Sequence, residues 1–180
     1  MTSVISSIFS LCQERKLTIF PHKIPGKLNV LADSLSRNVP LPGEWEIHPA
    51  DRQRVLALYP NLEVDLMATP YNAILGVFIS PFDHPSARGV DVWSLDWNQW
   101  SEVYLFPPPS QVAKVFQTLR SFKGKMTLIL RSHPLLFLPK DLPRQIVPVF
   151  PLTHPPRQLV RGVWIEDGRH LSSPWMVHRY

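Results

Sequence analysis

The sequence has 180 residues, of which 44% are hydrophobic and 18% are charged, and this composition excludes an intrinsically disordered chain in favour of a globular one. Its single cysteine, Cys12, excludes an internal disulfide framework and favours an intracellular location, in the nucleus or the cytoplasm. The net charge of +5 is unevenly placed, because residues 120–180 hold 10 Lys or Arg against 3 Asp or Glu. No apolar run approaches the ~20 residues that cross a bilayer, so no membrane partner is expected.

The first 37 residues are predicted to form a helix, a strand and a second helix. Residues 1–16 place apolar side chains on one helical face, at Ile5, Ile8, Phe9 and Cys12. An apolar strand is predicted at Leu17–Ile24, and a Pro-Gly pair ends it. Asn29 suits the cap of the second helix, which carries Asp33. In such a place an acid is ordinarily solvated and stabilised by the helix dipole.

This segment resembles the end of a retroelement ribonuclease H domain. The matching residues are His22, Pro25, Gly26, Asn29, Ala32, Asp33, Leu35, Ser36 and Arg37. The resemblance implies that Asp33 is the last metal-binding carboxylate of such a domain, whose complete form uses Mg²⁺. The other carboxylates lie far upstream in that family, and a two-metal site needs several of them. Residues 1–37 are therefore interpreted as a C-terminal helix-strand-helix remnant of the ribonuclease H fold.

The rest of the chain alternates between helix and strand patterns after a predicted linker at 38–47. Helical patterns occupy 48–60 and 110–119. Strand patterns occupy 61–69, 72–80, 101–106 and 125–130. This alternation predicts that residues 48–133 form an α/β domain with a Rossmann-like, mostly parallel sheet. Residues 134–180 are predicted to be a Pro-rich basic extension, with weaker strand patterns at 145–150 and 158–166.

Two groups are expected at the carboxyl ends of the predicted parallel strands, where open α/β sheets bind ligands. One is Asp65, and the other is the Phe-Pro-Pro-Pro-Ser loop at 106–110. An acid after one strand and a double proline after a later strand is the broad layout of amino-group DNA methyltransferases. The alternative is structural: Asp65 would be a strand-end acid, and Pro107 with Pro108 would form a helix-entry turn.

The same region resembles the part of DIRS-type retrotransposon polyproteins that follows ribonuclease H, which has been likened to adenine-N6 methyltransferases. The matching residues are Val64, Asp65, Leu66, Ala68, Asn72, Asp91, Ser94, Asp96, Trp97, Phe106, Pro107 and Pro108. The resemblance implies a cofactor role for Asp65, toward S-adenosylmethionine, and a catalytic loop at Pro107 and Pro108. In that family an Asp or Asn precedes the two prolines and an aromatic follows them. Phe106 and Pro109 replace both, so the loop is degenerate.

The basic end of the chain suggests contact with nucleic acid, through Lys123, Lys125 and Arg131. Several aromatic residues are either stacking platforms for single-stranded bases or ordinary core: Trp93, Trp97, Trp100 and Tyr104. The sequence is thus interpreted as a DIRS-type polyprotein fragment that is noncatalytic by itself and associated with RNA or DNA through its parent polyprotein. No cofactor is expected under this interpretation, and the oligomeric state stays open. The alternative is an adenine-N6 methyltransferase-like enzyme dependent on S-adenosylmethionine, with an atypical loop.

Overall fold

The computed structural model describes residues 2–20, 22–25, 44–131, 146–160, 163–166 and 174–180. It shows a mixed α/β structure in two compact units, 1–39 and 40–180. The expected remnant at 1–37 ends close to the observed division. The second unit includes the end of the chain, so the structure does not set 134–180 apart from the domain expected at 48–133.

The first unit contains one described helix, α1, at Thr2–Arg15, and this confirms the helix predicted there. The helix ends where Lys16 adopts a positive φ of 51°, a conformation common just beyond a helix C-terminus. The strand expected at Leu17–Ile24 must be corrected, because its described residues form no strand and Phe20 is 78% exposed. A strand needs a partner, and the described part of this unit supplies none. Asp33 and the helix predicted around it lie outside the described residues.

The second unit contains two described α-helices, α2 (Pro49–Leu58) and α3 (Val112–Leu119). Its strands in chain order are β1 (Trp45–Glu46), β2 (Val64–Asp65), β3 (Ile79–Ser80), β4 (Gly89–Val90), β5 (Glu102–Leu105), β6 (Lys125–Arg131), β7 (Val147–Pro151), β8 (Arg157–Val160), β9 (Val163–Glu166) and β10 (Trp175–Arg179). Both predicted helices and the four predicted strands of 48–133 are present, although β2 and β3 are shorter than their sequence patterns.

The main sheet has five strands in the order β2-β5-β6-β10-β7. Strands β2, β5 and β6 are parallel, whereas β10 is antiparallel to both β6 and β7. The sheet is therefore mixed, and the expectation of a mostly parallel sheet is corrected. The cause lies in residues 134–180, because this segment adds β7 and then returns as β10 between β7 and β6. A separate sheet joins β1, β8 and β9, in the order β1-β8-β9.

Two short strands continue the parallel arrangement beyond β2. Strand β3 pairs in parallel with β4, and a parallel bridge from Asp65 to Phe78 places the start of β3 beside β2. The chain thus runs from β2 outward to β3 and β4, and then crosses back to β5 on the other side of β2. This reversal makes the gap between the ends of β2 and β5 a topological switch point, where α/β sheets form a ligand crevice.

Helices cover both faces of the main sheet. Val103 and Leu105 of β5 pack on one face with the apolar side of α3. Tyr104 points to the opposite face, where it packs with Val55 of α2. Strand β6 has five successive buried residues, the pattern of a strand covered on both sides. The apolar residues of α3 at 115, 116 and 119 are buried as its helical periodicity predicts.

Gly124 lies in a place with no room for a side chain, and this yields a stability prediction. A Cβ atom there would lie 2.8 Å from the carbonyl oxygen of Ser101 and 2.9 Å from that of Trp100. Gly124→Ala should therefore lower the free energy of unfolding by about 1–3 kcal/mol, through forced displacement of the backbone. Gly76→Ala is the matched control, because nothing lies within 4 Å of its added Cβ. Urea unfolding of both variants checks this, and equal effects would contradict it.

Candidate functional site

A cavity of about 370 Å³ opens at the switch point. Its floor is formed where β2 and β5 end, by Leu66, Met67 and Phe106. Ser80 and Asp91, at and just beyond the ends of β3 and β4, line the opposite wall. The volume falls within the ~300–1,000 Å³ typical of small-molecule sites. The position and the size together make this cavity the candidate functional site of the second unit.

Asp65 lies at the end of β2, as predicted, but its carboxylate is turned into the protein and does not line the cavity. Its Oδ2 accepts a hydrogen bond from the Ile74 backbone N–H at 3.1 Å, and its Oδ1 accepts a longer one from Met67 at 3.4 Å. Arg52 of α2 donates to the Ile74 carbonyl at 3.1 Å, close to the same group. The geometry favours the structural alternative, in which Asp65 fastens the loop that follows β2.

Burial raises the pKa of Asp65 to about 7, even though the hydrogen bonds from Ile74 and Met67 and the positive charge of Arg52 act to lower it. Tyr104 lies beside Asp65 in the register of β5 and β2. Burial, together with the charge on Asp65, raises the pKa of its phenol well above the ordinary value. The phenol oxygen is buried without a hydrogen-bond partner among the described residues. These two groups lie side by side inside an apolar layer, and the charge of Asp65 disfavours ionisation of Tyr104.

The loop from Leu66 to Ile74 uses its own backbone amides. The N–H groups of residues 66 and 68 donate to the carbonyls of Tyr104 and Ile79, and those of 72 and 73 donate to the carbonyl of Thr69. Asn72 accepts from the Thr69 N–H at 2.7 Å, and the Thr69 hydroxyl donates to Glu44 at 2.8 Å. The Tyr71 N–H donates to the Thr69 hydroxyl. With the two bonds to Asp65, every N–H of this loop has an internal acceptor.

The proline loop after β5 is held by packing. Phe106 meets the ring of Trp175 edge to face, with centroids 5.4 Å apart, and it also lines the cavity. Pro107 is buried, whereas Pro108 is exposed on the cavity wall. Pro109 begins a short 3-10 turn that leads into α3. The structure thus brings Phe106 and Pro108 to the cavity, but this loop presents no side-chain hydrogen-bond acceptor there.

Sequence reasoning did not select Asp91 as a site residue, although it belongs to the matched pattern. Asp91 follows β4, lines the cavity and has a φ of 54°. Its Oδ1 accepts from the Trp93 N–H at 3.2 Å and caps the next turn. Trp93 also lines the cavity, with Trp97 stacked at 5.7 Å and the ammonium of Lys114 over its ring at 4.3 Å. A positive φ at a residue with a side chain is an outlier that often marks a functional site.

The described lining of the cavity does not fit the α-carboxylate of S-adenosylmethionine. That cofactor carries an α-carboxylate, which needs donors, and the loop after β2 has already used its amides. The described wall residues include two acids, Glu44 and Asp91, and no Lys, Arg or His. An anionic ligand group would therefore meet repulsion from two carboxylates, and the described lining offers it only neutral donors such as Ser80 and Gln111.

The three predicted nucleic-acid residues do not form one cluster. Lys123 and Lys125 are exposed at the start of β6, and Arg131 ends the same strand. Six steps of about 3.3 Å separate Lys125 from Arg131, or roughly 20 Å. The Arg131 guanidinium lies over the ring of Trp175, 5.1 Å from its centroid. Of the predicted stacking residues, Trp97 and Tyr104 are buried core, and Trp93 and Trp100 pack against it.

A second buried carboxylate, Asp51 of α2, joins the helix to the segment after β7. It accepts hydrogen bonds from the Thr153 hydroxyl at 2.7 Å and from the Thr153 and His154 N–H groups at 2.9 Å. Burial opposes ionisation, but these bonds lower the pKa of Asp51 below its ordinary value. His48 stacks on His154, with ring centroids 3.9 Å apart. This cluster fixes the fold and lies apart from the cavity lining.

No protein-family model matches the sequence, and no curated protein matches it. In the part of the chain that the structure describes, no three His, Cys, Asp or Glu side chains converge to hold a metal ion. None of the described helices is both long and apolar enough to cross a bilayer. The function is therefore argued from the fold and the cavity.

Asp65 gives a prediction about stability and pH. Because its pKa rises from 3.8 to about 7 on folding, its contribution to stability is full below pH 3.8 and is lost as the pH rises through 7. This loss is on the order of 4 kcal/mol. Asp65→Asn cannot ionise, so its stability relative to the natural chain should increase between pH 4 and pH 8. Urea unfolding at both pH values measures the difference, with Asp83→Asn, an exposed acid, as the control.

Proposed function

We propose that residues 44–180 are a noncatalytic, methyltransferase-like module of a DIRS-type retroelement polyprotein, associated with nucleic acid. Under this proposal, residues 1–37 are the end of the ribonuclease H domain that precedes the module, and Asp33 is the last carboxylate of its metal site. The observation that carries the proposal is the cavity at the switch point between β2 and β5. A nucleotide-type fold binds its ligand at this place.

The sheet supports the Rossmann-like part of the proposal. Three neighbouring parallel strands, a helix between β5 and β6, and helices on both faces are features of a doubly wound fold.

The lack of catalysis follows from the proline loop. In the family that the loop resembles, an Asp or Asn before the two prolines accepts hydrogen bonds from the target amine and holds it for methyl transfer. Phe106 occupies the place of that acceptor, and its ring is packed against Trp175. Pro109, in place of the stacking aromatic, offers little surface to a flipped base. Pro107 and Pro108 therefore match the family's loop in sequence, but the groups that would bind the amine and stack on the base are missing.

The basic ends of β6 support the association with nucleic acid. A stacked single strand advances about 3.4 Å per nucleotide, so the roughly 20 Å from Lys125 to Arg131 corresponds to about six nucleotides. Lys123 and Lys125 would contact phosphates at one end of such a segment, and Arg131 would contact them at the other.

The test is fluorescence anisotropy of labelled single-stranded DNA and RNA with the full chain between 50 and 200 mM salt. Affinity should fall steeply with salt, because bound phosphates release counterions. Lys123→Gln with Lys125→Gln should weaken binding and lower the salt slope by about 1.4, two contacts at ~0.7 each. Lys16→Gln with Lys23→Gln removes the same charge from the first unit and should change little. Binding that ignores both salt and the first pair would refute the association.

The alternative is a methyltransferase-like enzyme that uses S-adenosylmethionine despite its atypical loop. It is favoured by the position of the cavity at the switch point. Calorimetric titration decides it: micromolar binding of S-adenosylmethionine that disappears in Asp65→Ala would support the enzyme. No heat from a folded protein would leave the noncatalytic module.

A further inference from the structure

We propose that the cavity binds a nucleobase that carries an exocyclic amino group, without phosphate, and that Asp91 selects the base by accepting from this amino group. The inference rests on the proposed function, because it gives the ligand class of a module associated with nucleic acid. It departs from the cofactor of the methyltransferase resemblance, whose α-carboxylate the described lining does not fit.

The walls suit a flat aromatic ligand. Rings of Trp45, Trp93 and Phe106 line a space of about 370 Å³ together with aliphatic side chains such as Leu66 and Ile79. Neighbouring rings hold these positions, because Trp175 lies 5.6 Å from Trp45 and 5.4 Å from Phe106. Aromatic side chains bind bases of every kind by stacking and edge contacts, without regard to charge. The lining accordingly provides affinity for a base ring but does not discriminate between bases.

The polar groups restrict the charge of the ligand. The loop at 66–74 donates all of its N–H groups internally, so it offers no cradle to phosphate or carboxylate. Glu44 and Asp91 add negative charge to the described wall. A phosphate would lose its hydration and meet two carboxylates, whereas a neutral base would not. The preferred ligand is therefore a nucleoside or an unphosphorylated end of a strand.

Asp91 supplies the discrimination. Its Oδ1 is occupied by the Trp93 N–H, which orients the carboxylate, and Oδ2 accepts no other hydrogen bond within the described residues. A free carboxylate oxygen accepts from the amino group of adenine or cytosine. It repels the carbonyl oxygen that hypoxanthine or uracil presents at the same position. Asparagine at this position would keep the bond to Trp93 and turn the second acceptor into a donor.

Nucleoside titration tests the proposal, read by tryptophan fluorescence because Trp45 and Trp93 line the cavity. Adenosine should bind about tenfold or more tightly than inosine, and cytidine more tightly than uridine by a similar factor. Adenosine 5′-monophosphate should bind at least about fivefold more weakly than adenosine, because its phosphate would be repelled by Glu44 and Asp91. Each pair differs in a single chemical feature, so each ratio reports on one part of the site.

Two isosteric variants complete the test. Asp91→Asn should weaken adenosine binding about tenfold and reverse the preference between adenosine and inosine. Asp83→Asn removes an exposed acid outside the cavity lining and should leave both affinities unchanged. Thermal melting of each variant establishes that it is folded. The reversal with inosine is a readout that a purely structural role of Asp91 would not produce.

Three results would overturn the inference: no saturable nucleoside binding to the folded chain, tighter binding of the monophosphate than of adenosine, or an adenosine preference that survives in Asp91→Asn. Nucleosides carry no phosphate, so these titrations do not depend on Lys123 or Lys125. Salt-dependent oligonucleotide binding without nucleoside binding would leave the proposed function and remove the cavity ligand. Nucleoside binding without oligonucleotide binding would remove the proposed association and keep the cavity ligand.

Discussion

The second unit depends on one buried carboxylate, that of Asp65, which accepts from the backbone at Met67 and Ile74. These two bonds close the loop after β2 against the strand from which it leaves. They replace the role that glycines and a bound phosphate play in a nucleotide loop, because an internal anion now satisfies the amides. Burial of this carboxylate opposes its ionisation and raises its pKa to about 7. The same closure that orders the loop therefore removes its capacity to hold an anionic ligand.

The cavity does not depend on the polar chemistry of its rim. The cavity follows from strand order and from helices on both sheet faces, both of which are needed for the hydrophobic core. Catalysis needs single side chains at the rim, such as an acceptor in place of Phe106, and the core does not depend on them. Phe106 packs against Trp175 and adds apolar contact where a polar group would have to be desolvated. An apolar residue at this rim position can thus favour stability at the expense of polar chemistry.

Local patterns predicted the helices and most strands of residues 48–133. The helical periodicity of α3 and the unbroken apolar run of β6 report burial directly. The place of β10 depends on pairings with distant strands, and no local pattern contains that information. The strand expected at Leu17–Ile24 failed for the same reason. An apolar segment can pair as a strand only where another strand lies beside it, and the local sequence does not show whether one does. Asp65 was located correctly, but the direction of its side chain was not predictable. The importance of Asp91 arises from a backbone angle, φ 54°, that residue type alone does not specify.

The two acids of the second unit that are most deeply buried respond to pH in opposite directions. Asp51 receives three strong donors and keeps its charge, so its contribution to stability is lost as the pH falls through its lowered pKa. Asp65 receives two weaker donors, and its contribution is lost as the pH rises toward 7. His178, whose pKa burial lowers, acts in the same sense as Asp51. Asp51 and His178 therefore favour stability at higher pH, whereas the contribution of Asp65 declines as the pH rises from 3.8 to about 7. Since Asp65 holds the loop beside the cavity, the cavity wall is coupled to this balance near neutral pH.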